Sequence, residues 1–344
     1  MSDIARRKLI KGAAAGGIAL AGGSAQSLLS ILLDPRAAHA QSAPSDIASW
    51  PNRPIKFIVP LAPGGAIDFI ARAVGERMSA VIGQQVVVEN RTGAGGTIGM
   101  DSALKSPPDG YTVLITNDNA ASAPHIMSLS YDYTKELLPV CYLGRHGQIL
   151  AAHASLGVKS VAELVAHVKA NPGIGIATSG VGSNQHVLSE WFKREAGIKL
   201  EHVPYRGAGQ AINDLVAGHV KIAFLGPTSL IPHAQAGTLR MLAQSMAKRS
   251  PTLQEVPTLE EAGFKGLVLE AWYAAFVPPG TPPQIITRLN AEMNKALKDP
   301  KLIDTFTKGA IEPVGGTPEE IGKLARADSE KYARLVKELN IKVN

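Results

Sequence analysis

The stretch "IKFIVPLAPGGAIDFIARAV", residues 55–74, opens on an apolar run, turns at Pro63-Gly64-Gly65 and continues with apolar residues three and four apart. An apolar run, a glycine turn and helical spacing in that order predict a strand leading straight into a helix, the unit from which α/β proteins are built. The glycine pair then falls where the helix leaves backbone N–H groups without internal partners and carries about half a unit of positive charge. With no Cβ in the way, Gly64 and Gly65 are placed to present those groups to an anion. Asp68, in the first turn, either contacts a ligand or favours the helix start electrostatically.

Val/Ile-rich runs at 55–61, 85–90, 111–117, 148–153, 174–179, 200–205, 220–225 and 239–245 are predicted strands, with helical patterns between most of them. That alternation predicts an α/β fold with mainly parallel sheets. Ser160 is the expected N-cap of one helix, with Glu163 as capping-box partner and Asn171-Pro172-Gly173 as its stop. Pro282 and Pro283 open another, and Thr317 caps the last with Pro318 at its first position. Two segments break the alternation, "LPVCYLGRHG" at 138–147 and the stretch 257–283. If the chain crosses between domains at both, residues 50–147 plus 270–344 form one lobe and 148–269 the other, with a cleft between them.

The first forty residues read as an export signal: Arg6 and Arg7 begin "RRKLIKG", a small and apolar stretch follows, and "AHA" at 38–40 is a small-x-small cleavage site. The twin arginines resemble the twin-arginine export motif. Cleavage after Ala40 leaves 304 of 344 residues, and loss of five basic and two acidic ones lowers the formal net charge from +6 to +3. No Lys/Arg run points to nucleic acid. Cys141 is the only cysteine, which excludes an intramolecular disulfide and a cysteine metal cluster. The histidines are scattered, without H-E-x-x-H, so neither a metal nor a cofactor is expected.

A second glycine loop, "ATSGVGSNQHVLSEWF", runs from a strand ending at Ser179 through Gly180 and Gly182 into a helix near Ser183. Hydroxyls of Thr178, Ser179 and Ser183 and the amide of Asn184 converge there, and two such loops suit a small carboxylate held at both ends. "ENRTGAGGTIG" approaches a dinucleotide fingerprint, with Asp118 ending the next strand, but G-x-G-x-x-G counted from Gly93 requires glycine where Ile98 stands. A P-loop fails for want of Gly-Lys-Ser/Thr. Ser183 and His186, with Asp214, leave an exported hydrolase open, although G-x-S-x-G is absent. Trp272 and Tyr273, in the second crossing segment, pack in a hinge or face the cleft.

The ordered motifs "APGGAID", "ENRTGAGGTIG", "PPDGYTVLI", "YDYTKELLPV", "SGVGSNQH", "HVPYRGAGQAINDLVAGHV" and "WYAAFVPPGTPP" resemble the Bug family, the extracytoplasmic solute receptors of tripartite tricarboxylate transport systems, over about residues 50–340. The resemblance implies a two-lobed periplasmic binding protein of type II, the Venus flytrap, with two sheet-and-helix domains joined by crossover segments and no catalysis. It implies a periplasmic monomer that binds a small carboxylate or related organic ligand and passes it to membrane transporter subunits or a sensor protein. Carried over by motif, the ligand set is Gly64, Gly65, Ala66 and Asp68 from the first loop and Ser179, Gly182, Ser183, Asn184 and His186 from the second. Tyr205, Arg206 and Gly207 support them, joined by the strand ends Thr116, Asn117, Gly226, Pro227 and Thr228. Thr92 stands where the family usually has proline, and Ala123 where asparagine commonly precedes proline. No acidic residue follows "AFL" near Gly226, which points to a ligand without a cationic group.

Overall fold

A computed structural model describes residues 49–341 except 128 and 130, so the expected export signal lies outside the described residues. Two sheets organise the chain. The first has the order β11-β4-β10-β3-β1-β2, built from β1 (Ile55–Val59), β2 (Val86–Asn90), β3 (Thr112–Asn117), β4 (Leu138–Gly147), β10 (Glu270–Val277) and β11 (Glu312–Pro313). The second has the order β7-β6-β8-β5-β9, from β5 (Ile149–His153), β6 (Gly175–Thr178), β7 (Glu201–Pro204), β8 (Ile222–Leu225) and β9 (Leu239–Gln244). All eight runs expected as strands form strands. Four strand pairs are parallel, β1 with β2 and β3, and β6 with β7 and β8, and five are antiparallel, β10 with β3 and β4, β11 with β4, and β5 with β8 and β9, so the sheets are mixed where the alternation predicted mainly parallel ones.

Both sheets are buried on both faces, which is why their strands read as nearly continuous apolar runs. In β1 the alternation sends Phe57 and Val59 against α1 (Ala66–Ile82), α9 (Pro283–Leu297) and α10 (Pro300–Lys308), and Ile58 into the opposite cluster with α3 (Asn119–Ile126) and α11 (Pro318–Glu338). In the second sheet Leu150, Ile176, Ile222 and Phe224 pack with Phe192 of α6 (Asn184–Ala196), while Ala177, Ala223 and Leu225 face α7 (Ala208–Ala217) and α8 (Pro227–Gln235).

The helix starts follow the sequence signals closely. Thr317 and Glu320 complete a reciprocal capping box with Pro318 at the first position. Ser160 caps α5 (Val161–Ala170) through the Glu163 N–H, but the Glu163 carboxylate reaches back to the N–H of Lys159, so that box closes one residue earlier than expected.

The two segments that break the alternation contain the longest strands of the first sheet. β4 and β10 lie side by side from Leu138↔Val277 to Gly147↔Glu270 and both lead into the second sheet. Only Gln148 separates β4 from β5. At this crossing Gln148 N–H donates to Ser245 Oγ at 2.9 Å, Ser245 N–H to the Gln148 carbonyl at 2.9 Å, and Leu269 N–H to the Ser245 carbonyl at 2.9 Å. The two connections are thus tied to each other at one level of the molecule.

Candidate functional site

The strand-to-helix turns of both sheets meet between the lobes. A cavity of about 20 Å³ lies there, walled from the first lobe by Leu61, Ala62, Gly65, Ala66, Ile67, Asn117 and Tyr273, and from the second by Ser179, Gln185, Ala208 and Gly226. That is room for about one water molecule. Four helices begin in this wall: α1 through Ala66 and Ile67, α6 through Gln185, α7 through Ala208, and α8 through its N-cap Gly226. No Lys, Arg, His, Asp or Glu lines it. Any negative charge placed there is met by helix starts and neutral donors.

In the first glycine loop, Gly65 is the N-cap of α1 and supplies no side-chain cap. Asp68 takes over that task from the first turn: its carboxylate accepts from Gly64 N–H at 3.2 Å, from Arg72 Nη2 at 2.9 Å and from Asn90 Nδ2 at 3.0 Å. Asn90 also donates to the Leu61 carbonyl at 3.0 Å, so the end of β1, the turn and α1 are tied by one carboxylate and one amide. Asp68 therefore shapes the loop from behind and does not line the cavity.

The second loop is held without charge. Ser183 caps α6, accepting from the His186 N–H at 3.2 Å and donating to the Gly180 carbonyl at 2.6 Å. The Gln185 side-chain oxygen accepts from both the N–H and the hydroxyl of Ser179, so the protein's own amide occupies donors that face the cavity. Gly182 N–H points to His186 Nδ1 at 3.5 Å, and the His186 ring stacks on His202 at 3.9 Å, 6° from parallel. Burial pushes both imidazoles down, His202 to about 3, so both are neutral at physiological pH. The Ser183 hydroxyl engages Gly180 and a backbone N–H rather than the His186 imidazole, which leaves the serine without the base a hydrolase needs.

The remaining expected residues lie around the cavity rather than in it. Thr116 is fully buried in β3. The Tyr205 hydroxyl donates to Asp214 at 2.7 Å, and Arg206 is exposed with its backbone N–H on Gln210 at 3.2 Å. Gly182 accepts a hydrogen bond from Ser122 of the other lobe, and Thr228 donates to the Gly309 carbonyl at 2.8 Å. Of the expected set, Gly65, Ala66, Asn117, Ser179 and Gly226 reach the cavity, while Gly64, Asp68, Gly182, Ser183, Asn184, His186, Gly207 and Pro227 build or flank the turns behind it.

Gln185 and Ala208 are wall residues that sequence reasoning did not single out for the site, and Tyr273, expected to pack in a hinge or face the cleft, lines the wall with them. Tyr273 pairs in register with Asn117 across β10 and β3, and its hydroxyl shares a 2.6 Å hydrogen bond with His146 Nε2. His146 Nδ1 lies 2.8 Å from the Gly147 carbonyl, which fixes the proton on Nδ1 and makes Tyr273 the donor. Burial holds that imidazole at about 4. Trp272, one residue earlier, faces the other way and donates to Asp328 at 2.7 Å.

The glycines have a second task that only the closed geometry shows. A Cβ at Gly209, in the first turn of α7, would lie 2.1 Å from the Pro63 carbonyl oxygen, and one at Gly65 would lie 3.3 Å from the Ala208 Cβ. Missing side chains on each lobe let the backbones touch over the cavity. Gly95 does the same against Val181, where a Cβ would stand 2.5 Å from the carbonyl oxygen, so the third glycine loop serves the lobe contact.

Among the described residues no cluster of His, Cys, Asp and Glu is arranged to hold a metal, and no helix is long and apolar enough to cross a membrane. A larger cavity, about 620 Å³, opens between Ile231, Leu239, Leu253 and Val256 of the second lobe and Lys308 of α10.

Residues 70–341 match the sequence profile of the tripartite tricarboxylate transporter family receptor. The chain is 35% identical to protein BugT of Bordetella pertussis over 88% of its own length and 94% of that protein. The structure of the periplasmic binding protein BugD is similar with a TM-score of 0.82 at 29% identity, over 85% of this chain and 99% of that one. The structure of Rpa4515 from R. palustris with adipate is similar with a TM-score of 0.82 at 31% identity, over 85% of this chain and 99% of that one.

Proposed function

The chain belongs to the tripartite tricarboxylate transporter receptor family and has the two-lobed fold of its periplasmic binding proteins; from that premise we propose that it captures a small organic carboxylate by lobe closure and delivers it to a tripartite tricarboxylate-type membrane transporter. The observation that carries the reading is the wall of the closed cavity, where four helices from both lobes begin and no charged side chain appears. The partial positive charge of those helix starts balances an anion without the desolvation cost of a buried cation. The adipate-bound relative supports the same ligand class. We place the lobe boundaries at 50–147 plus 270–344 and 148–269, so that β4 and β10 form the hinge. The receptor works in the periplasm after export by the twin-arginine route, without catalysing a reaction.

Ligand first meets one lobe, then draws the other onto it, because only the closed form offers both sets of donors. The cavity must widen for this, and the Gln185 amide must leave Ser179 so that a carboxylate oxygen takes its place. A thermal-shift screen of the full chain, unfolded and refolded to strip carried ligand, tests the reading against mono-, di- and tricarboxylates, their amides and cationic analogues. A ligand at a hundredfold excess over its Kd adds about 2.7 kcal/mol of stability. Shifts confined to carboxylates support the reading, and shifts confined to neutral or cationic compounds overturn it.

A further inference from the structure

The outer edge of the second sheet is open where the larger cavity lies. β9 is the last strand of that sheet, beside β5. His153 N–H donates to the Lys221 carbonyl on the β8 side and Ala154 N–H to the Thr238 carbonyl on the β9 side, both at 2.9 Å. Backbone groups alternate in an antiparallel ladder, so Arg240, opposite Ala152, turns its N–H and C=O to β5, whereas Leu239 and Met241, opposite His153 and Ala151, turn theirs away from the sheet. Leu239, Arg240 and Met241 all line the cavity of about 620 Å³. Successive side chains of a strand point to opposite faces, so a space touched by three in a row runs along the strand's edge.

The chain itself shows what this edge accepts. Past the register shift at Leu242, Gln244 also turns outward: its N–H donates to the Pro257 carbonyl at 2.8 Å and its carbonyl accepts from Leu259 N–H at 2.9 Å, a parallel bridge to Thr258. Traced back from Pro257, the covering segment leaves the edge. Gln244 Nε2 holds it there by donating to the Leu253 and Val256 carbonyls at 3.1 and 2.7 Å, and the cavity is the gap between that segment, α8 and the uncovered part of β9. Ile231, Leu239, Leu253 and Val256 give it an apolar floor. Its rim carries Arg240 and Glu255, exposed and without ion-pair partners among the described residues, and Lys308, which meets Asp304 at 2.6 Å on the surface.

We propose that the open edge of β9 takes an extended, acidic polypeptide segment of a partner protein as an added strand. An N–H and a C=O offered by every second residue, repeating at about 6.8 Å, match the backbone of another extended chain rather than a compact metabolite. The apolar floor receives alternate side chains of that segment, and a rim of two cations against one acid favours carboxylates on the others. Thr307 and Lys308 close the groove from the end of α10, whose Leu302 and Phe306 belong to the core of the first sheet, while Ala310 just beyond joins the core of the second. The added strand therefore touches elements of both lobes.

Fluorescence anisotropy of the full chain with labelled, capped pentapeptides tests this. One peptide alternates glutamate and valine, one alternates lysine and valine, and the third is the first with every backbone nitrogen methylated. The glutamate peptide is expected to bind saturably, and the lysine and methylated peptides at least about tenfold more weakly. Met241→Pro removes an outward N–H that the sheet does not use, at an edge where proline is tolerated, and should weaken the glutamate peptide at least about tenfold while the protein still melts cooperatively. Arg240→Glu, on an exposed side chain, should reverse the charge preference. Absence of saturable binding by the glutamate peptide, equal binding of all three peptides, or binding that both variants leave unchanged overturns the proposal. So does a dimer, seen in sedimentation of the protein alone and dissolved by Met241→Pro, which would put a second copy of this chain on the edge. The carboxylate screen reads the cleft and stands or falls independently of every one of these outcomes.

Discussion

The two glycine loops that face each other across the cleft are built on opposite electrical principles. In the first, a buried carboxylate, Asp68, pulls Gly64 N–H and the Arg72 guanidinium together behind the turn. In the second, every brace is neutral: a serine cap, a glutamine amide and a stacked pair of uncharged imidazoles. On the proposed reading, the first loop keeps the start of α1 ready for a ligand, while the second satisfies Ser179 with its own Gln185 until a carboxylate displaces it. One lobe is therefore preorganised and the other exchanges an internal partner for the ligand, so binding to the first before closure of the second is the economical order.

That contrast can be broken at its strongest point by blocking the contact between the loops. Gly209→Val puts a side chain against the Pro63 carbonyl, and calorimetry should show carboxylate affinity falling by more than about a hundredfold while the unliganded protein still melts cooperatively, because the clash exists only when the lobes meet. Undiminished affinity would mean that ligand binds without this closure. Gln185→Glu sharpens the second half of the contrast by installing a resident carboxylate on Ser179. Like-charge repulsion should then weaken ligand binding about thirtyfold, and a gain in affinity would contradict the displacement model.

The titrating groups at the same level separate by sign. Asp118, raised to about 7, makes the folded protein hold a proton that the unfolded chain has lost, so its contribution to stability falls as pH rises between roughly 4 and 7. His146, lowered to about 4, and His202, lowered to about 3, act the other way: the unfolded chain binds the extra protons, and stability rises up to about pH 6.5. The opposing slopes partly cancel in the wild type. Denaturant unfolding of wild type and Asp118→Asn across this range should differ by up to about 1.4 kcal/mol per pH unit, and parallel curves would contradict the burial of that acid. The smallest effect falls on the first loop. Asp68→Asn keeps the shape but loses the charged partner of Arg72, whose side chain is half exposed, and should cost about 1–2 kcal/mol, a fall in Tm of roughly 2–6 °C.

The fold was legible because its cues are local. Apolar runs ending in glycine, Ser160 and Thr317 as caps and prolines at helix starts each act within a few residues, and all eight expected strands form. The strands β4 and β10 were not recognised as strands, since they pair with each other across more than a hundred residues. In the site, glycine turns pointed to Gly65 and Ser179, which line the cavity. His146 carried no signal, because it meets Tyr273, which the sequence left between hinge and cleft, only when β4 and β10 lie side by side. Gly209 was missed for a related reason: a glycine inside a helix's first turn reads as an ordinary residue until the other lobe is seen pressing on it.

The most direct test is a crystal structure of the protein with the tightest carboxylate from the screen. Its carboxylate oxygens should lie within hydrogen-bond distance of backbone N–H groups at the starts of α1 and α7, with no Lys or Arg in contact and the Gln185 amide turned away from Ser179. A ligand whose carboxylate is paired with Arg206, or held by any other cationic side chain, would contradict the account.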